Sequence, residues 1–377
     1  MIVAENTITS RLDRYKETMI EKTSCFAGYP VNMRYDYNQI LPFMQFSLNN
    51  VGDPFIPANY QINSRDFEQE ALAFFAQLYQ AEDWWGYVTN GGTEGNFYGL
   101  LLGRETYPEG ILYASEDSHY SVAKAARFFQ IPHAVIKSQP HGEMDYNDLE
   151  IQLDPNRPAI INLNIGTTVK GAVDDLGKIL AVLNAKNIQN FYIHCDGALG
   201  GMLLPYLAPG RINFNLPIHS LAISGHKFIG CPFPCGVVLT RKKLVDKLAT
   251  NIEYIGSKDT TLSGSRNGHA PLFLWYAIMQ RQHLFESEAH WCVNKAVYLY
   301  EQLKEAGLFC LLNPCSTTVV FDKPPAAIVA KWQLATAGNL AHVVVMQNHS
   351  YELLDRIVAD MAASISCSAA IALSISV

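Results

Sequence analysis

The sequence predicts an α/β protein: a large unit on a mainly parallel sheet, followed by a smaller α+β unit. Three observations predict it. Short apolar runs alternate with helical patterns between about residues 64 and 240, as in a parallel sheet with crossover helices. Reactive side chains recur just after the apolar runs, at the carboxyl ends of the strands, where such sheets gather a ligand. Beyond about residue 270 the texture changes to long helical patterns with two strand-like runs.

Taken in order, residues 1–20 read as a polar amphipathic helix. Residues 26–57 are irregular and aromatic, with Tyr29, Tyr35, Tyr37, Phe43 and Phe46 among Gly, Pro and Asn. Those breakers oppose regular structure, and the aromatics oppose disorder. Such a segment packs on something else: a partner subunit, the preferred reading, or its own chain. A helix starts at Ser64, with Phe67, Ala71, Phe74, Phe75 and Leu78 at helical spacing. A strand over 84–89 leads into Asn90-Gly-Gly-Thr-Glu-Gly-Asn96 and an apolar helix over 97–102. Strand, glycine turn and helix can aim backbone N–H groups at a phosphate, although a plain strand–helix turn reads the same way. The loop is neither a P-loop nor G-x-G-x-x-G.

The alternation continues with a strand over 111–114, then Ser115-Glu-Asp-Ser-His119 and a helix through Phe129. Strands follow over 134–136 and 159–164, the second ending at Gly166-Thr-Thr168. A helix over 176–185 precedes a strand over 191–195 that ends at Asp196-Gly-Ala-Leu-Gly-Gly201. The buried-type strand over 220–223 ends at Ser224-Gly-His-Lys227, and 236–240 is one more strand. One long helix is expected over 271–305, then strands over 317–321 and 341–346 and a helix over 351–362. The expected organisation is an N-terminal segment 1–58, a large domain 59–268, a small domain 269–363 and a Ser/Ala/Ile-rich tail 364–377 of no assigned role.

Composition bounds the function. The formal charge of -7 carries no basic patch, which argues against nucleic acid. No N-terminal apolar stretch and no run of about 20 apolar residues points to export or a membrane. The eight cysteines sit mostly in apolar sequence with no C-x-x-C pair, so a cytoplasmic protein with reduced cysteines and no metal site is expected.

Lys227 is the centre of the chemistry. Flanked by Phe228, Ile229, Cys231, Pro232 and Phe233, its amine is expected to be desolvated and its pKa lowered. Such a lysine can form a Schiff base with an aldehyde. A buried Asp196 can pair with a protonated pyridine nitrogen and make the ring an electron sink. His119 can stack on that ring with Ala198 against the other face. Gly91, Gly92, Thr93 and Ser224 can hold a phosphate. Taken singly, Lys227 also reads as a surface lysine, Asp196 as a turn cap, His119 as a helix-start residue, and Thr167 and Thr168 as caps. His194 is expected to point away from the site, and His269 and His342 to be structural.

Six motifs occur in one order: Asn90-Gly-Gly-Thr-Glu-Gly-Asn96, Ser118-His-Tyr-Ser121, Asn164-Ile-Gly-Thr-Thr168, His194-Cys-Asp-Gly-Ala198, Ser224-Gly-His-Lys227 and Ser263-Gly-Ser-Arg-Asn-Gly268. Together they resemble the group II pyridoxal-phosphate decarboxylases, in the branch of the plant-type serine and Gram-negative histidine decarboxylases. The resemblance implies the aspartate-aminotransferase-like fold (fold type I) and pyridoxal 5'-phosphate as cofactor. It implies Lys227 as the Schiff-base lysine, Asp196 at the pyridine nitrogen, and His119 and Ala198 on the two ring faces. Gly92, Thr93, Ser224 and His226 would hold the phosphate, with Thr168 near the ring hydroxyl or the substrate carboxylate. It also implies a homodimer with a shared active site. One departure stands out: the loop after the lysine, 256–265, holds no tyrosine to return a proton to the substrate, which leaves His119, Lys227 or a water. The favoured reaction is serine to ethanolamine, ahead of histidine to histamine. Another fold-type I enzyme (aminotransferase or aldolase) and a non-catalytic homologue remain as alternatives.

Overall fold

The computed structural model describes residues 5–375, and side chains over 7–364. The seven strands of the large sheet are β1 (Trp84–Thr89), β2 (Ile111–Ser115), β3 (His133–Ile136), β4 (Ala159–Asn164), β5 (Phe191–Asp196), β6 (Ser220–Ser224) and β7 (Gly236–Arg241). Their order is β1-β7-β6-β5-β4-β2-β3, and β7 alone runs against its neighbours. The helices between them are α2 (Arg65–Leu78), after the N-terminal α1 (Glu5–Thr23), then α3 (Gly92–Thr106), α4 (Tyr120–Phe129), α5 (Tyr146–Gln152), α6 (Leu176–Ala185) and the short α7 (Leu204–Leu207).

Period-two alternation assigns each strand residue to a face. Trp85, Tyr87, Leu112, Ile160, Tyr192 and Val238 pack under α3 and α4. Val88, Tyr113, Ile161, Ile193, Leu221 and Val237 pack on the opposite side with α2 and α6. Both faces are therefore apolar and covered, as a parallel sheet requires.

A short hairpin, β8 (Thr250–Ile252) and β9 (Ser257–Asp259), precedes α8 (His269–Arg281) and α9 (Phe285–Glu305). The expected single helix over 271–305 is therefore two. Nothing in residues 282–284 breaks a helix by propensity. Tertiary bonds turn the chain instead: Arg281 donates to the Ile229 carbonyl at 2.6 Å and pairs with Glu288 at 2.5 Å, while Phe285 is buried against Phe74 and Phe228. The second sheet, β10 (Cys310–Leu312), β11 (Thr318–Asp322), β13 (Leu340–Val344) and β12 (Ala335–Ala337) in that spatial order, is antiparallel. It shares a core with α9, α10 (Ala326–Trp332) and α11 (Tyr351–Ile375). α11 runs past the expected end at 362. The tail 364–377 is helical as far as Ile375, and its side chains beyond Ser364 lie outside the described residues.

The aromatic N-terminal segment is tied to its own chain. Asn32 N–H donates to the Lys227 carbonyl at 3.1 Å, and its carboxamide donates to Phe228 O at 3.0 Å. Further on, Asn50 bonds Glu68, and Trp85 donates to Asp53. Outward, α1 and the segment expose Ile8, Leu12, Tyr15, Ile20, Phe43, Met44 and Phe46. Among the described residues seven cysteines are free, and no helix is long and apolar enough to cross a membrane.

Candidate active site

The carboxyl ends of β4, β5 and β6 open into a cavity of about 380 Å³. Its far wall is built from residues 28–30 of the N-terminal segment, from Ser316, and from Thr318, His342 and Val344 of the second sheet. Lys227, Asp196, His119, Thr168, Ala198, Gly92, Thr93, Ser224 and His226 all line this one cavity. Gly91 does not line it; it caps α3 with φ 129° and lies behind His226.

Lys227 sits on a wide turn, Gly225–Ile229, in which Gly230 N–H reaches back to the Gly225 carbonyl. Gly230 closes the turn with φ 86°, and a side chain there would stand 2.8 Å from the Asn32 carbonyl. Single widened turns of this kind break the helical repeat and project one side chain out of line. The Lys227 amine has no hydrogen-bond or ion-pair partner among the described residues. Burial lowers its pKa from the ordinary 10.5, and the attraction of Asp196 offsets only part of that shift.

Asp196 ends β5 and is nearly buried. It accepts from Asn96 Nδ2 at 2.7 Å and from Ala198 N–H at 3.1 Å. His119 caps α4, its Nδ1 held by Ser121 Oγ at 2.7 Å. Burial lowers the His119 pKa, with Asp196 opposing and Lys227 adding to the shift. His226 is fixed through Nδ1, 2.9 Å from the Cys235 carbonyl, and its pKa is lowered by burial. A Cβ on Gly92 would approach Ser224 Oγ to 2.7 Å and Ala198 Cβ to 3.2 Å. Only glycine leaves the start of α3 open between those two residues. Of the two threonines, Thr167 is occupied, accepting from Ala172 N–H at 3.0 Å, and the exposed Thr168 faces the cavity.

Sequence reasoning missed several participants. Asn96 and Ser121 lie within the motifs at 90–96 and 118–121, yet no spacing rule shows that they bridge Asp196 and His119. His194 does not line the cavity, as expected, but it shares a strand face with Asp196, and its Nε2 lies 3.0 Å from Asn96 Oδ1. His342 lines the cavity, with Nδ1 2.9 Å from Val169 O and Nε2 3.1 Å from Gly28 O.

An unpartnered amine, a buried carboxylate, flanking flat and small side chains and a glycine cradle at a helix start form the donor set that pyridoxal phosphate requires. Comparison with known proteins agrees. Residues 89–322 match the pyridoxal-dependent decarboxylase conserved domain. The chain is 48% identical to serine decarboxylase 1 of Oryza sativa subsp. japonica over 93% of its own length and 74% of the relative's. It is 42% identical to the histidine decarboxylase of Klebsiella aerogenes, over 94% and 97%. The solved L-methionine decarboxylase from Streptomyces sp.590 superposes with a TM-score of 0.86 at 26% identity, covering 96% of each chain. With the fold, the cavity and these matches together, the chain belongs to the pyridoxal-dependent decarboxylases, carboxy-lyases that act on amino acids with pyridoxal 5'-phosphate as cofactor.

Proposed function

We propose that this chain removes CO2 from L-serine and releases ethanolamine. The observation that carries the reading is the meeting of an unpartnered lysine amine and a buried carboxylate in one cavity whose described lining holds no arginine. When bound, pyridoxal phosphate supplies an aldehyde for the amine and a ring that takes up the electrons left behind by CO2. Lys227 Nζ, its pKa lowered by burial, offers that aldehyde an unprotonated amine. Asp196 holds a proton at the pyridine nitrogen, because opposite charge favours the protonated form. His119 would stack on one ring face, with the Ala198 methyl on the other. Gly92, Thr93, Ser224 and His226, backed by Gly91, would hold the phosphate, and Thr168 would lie near the ring hydroxyl or the substrate carboxylate. A carboxylate that meets no guanidinium fork is less stabilised as an anion, which favours its departure. The proton returned to Cα comes from His119, Lys227 or a water.

Serine is preferred because the rice serine decarboxylases share more of this sequence than the histidine decarboxylases do. Histidine to histamine is the second reading, favoured by bacterial relatives that match over nearly their whole length. The protein works in the cytoplasm as a homodimer with a shared site. The 1–58 segment contributes to that contact, while 59–268 carries the cofactor and 269–363 closes over it. The test is to supply purified protein and cofactor with each amino acid and to measure CO2 and amine. Serine is expected to exceed histidine by about 100-fold or more in kcat/KM. Faster histamine release selects the second reading, and a keto-acid product rejects both.

A further inference from the structure

Behind the cavity, five buried side chains from β5, β6 and α3 form one hydrogen-bonded line. Tyr192 Oη lies 2.8 Å from Ser220 Oγ, which lies 2.8 Å from His194 Nδ1. His194 Nε2 lies 3.0 Å from Asn96 Oδ1, and Asn96 Nδ2 lies 2.7 Å from Asp196 Oδ2. A branch leaves from Asn96: its Nδ2 is 3.0 Å from Ser121 Oγ, which is 2.7 Å from His119 Nδ1.

Elimination fixes every donor. A carboxylate only accepts, so the Asn96 amide nitrogen faces Asp196. The Asn96 oxygen then faces His194 and can only accept, so His194 Nε2 carries the ring proton. Burial keeps that ring neutral, its pKa pushed down to about 4, and Nδ1 therefore accepts from Ser220. Ser220 in turn accepts from Tyr192. On the branch, the second Asn96 N–H goes to Ser121 Oγ. The Ser121 main-chain N–H points at His119 Nδ1 at 3.3 Å, which makes Nδ1 an acceptor, so the Ser121 hydroxyl, 2.7 Å away, donates to it as well. Two donors on Nδ1 leave the His119 proton on Nε2, the nitrogen without a partner among the described residues, on a ring that lines the cavity.

We propose that Asn96 is a positioning residue that sets two cavity groups at once: one N–H holds the Asp196 carboxylate as an acceptor, and the other, through Ser121, holds neutral His119 as the Nε2–H tautomer facing the substrate. His194, Ser220 and Tyr192 keep the Asn96 carboxamide from flipping. The inference rests on the decarboxylase reading only for what these groups then do. Its main readout needs no substrate, so the two fail separately.

The test is 15N NMR of full-length protein labelled in histidine, with pyridoxal phosphate bound and after its removal. The His119 signals are assigned by their loss in His119→Phe. Wild-type protein is expected to show Nδ1 unprotonated and Nε2 protonated. Ser121→Ala and Asn96→Leu should each let the tautomers mix. His194→Gln, whose amide nitrogen can replace Nε2–H, should keep the wild-type pattern, and His194→Leu should not. Cofactor affinity separates the two arms: Asn96→Leu should weaken it about tenfold, whereas Ser121→Ala should leave it within about twofold. A wild-type His119 protonated on Nδ1 overturns the proposal even if no variant folds. An unchanged tautomer in Ser121→Ala also overturns it.

Discussion

Lys227 and Asp196 illustrate how a residue acquires its chemistry from its surroundings. The lysine amine is desolvated by burial and has no bonded partner among the described residues, so its pKa falls below 10.5. Only the unprotonated amine attacks an aldehyde, so loading of cofactor onto cofactor-free protein should rise with pH, with a midpoint below that value. Stopped-flow absorbance across the pH range checks this, and a midpoint at or above 10.5 contradicts it. Lys227→Ala should lower CO2 release by about 1,000-fold or more, because the covalent anchor is lost. His194 carries the opposite lesson. Its folded pKa is about 4 against an ordinary 6.5, so between those values the unfolded chain binds the proton and the folded chain does not. Stability from this residue is thus fully present above pH 6.5 and falls as pH drops toward 4, by about 3 kcal/mol in all. Urea unfolding of His194→Gln should show a flatter dependence over that window. The desolvation of Lys227 was legible from its apolar flanks. The work of His194 was not, because a strand histidine has the same sequence signature whether or not it bonds the next layer.

At the scale of the element, α3 does two things. Its first residue opens the cavity beside Ser224, and its body lies close on β5 and β6. Gly99 permits that approach, since a Cβ there would fall 2.2 Å from His194 Nδ1 and 2.9 Å from Ser220 Oγ. Gly99→Ala should therefore destabilise the fold by about 1–3 kcal/mol through overpacking, seen as a lower urea midpoint with an unchanged slope. The strand–turn–helix rhythm that located α3 was readable because glycine turns and apolar runs are local signals. The break between α8 and α9 was not readable. It follows from Arg281 and Phe285 meeting residues far away in the chain, and nothing in 282–284 announces it.

For the whole molecule, the apolar side chains that α1 and the following segment expose have no cover among the described residues. The homodimer reading predicts a sedimenting mass near twice 42.0 kDa, and Leu12→Glu should shift it toward the monomer. A wild-type monomer at micromolar concentration would refute that reading. The same segment, tied to Lys227 and Phe228 of its own chain, also joins the two sheets into one cavity wall. The sequence by itself determined the α/β order, the strand ends and the set of reactive residues that those ends carry. All of these are written in short-range patterns of apolarity, glycine and reactive residue type. Only the tertiary structure decided which side chains bridge them, that His342 and residues 28–30 close the cavity, and where the long helix breaks. Those outcomes depend on hydrogen bonds and packing between segments far apart in sequence, and such contacts leave no periodic trace in the chain.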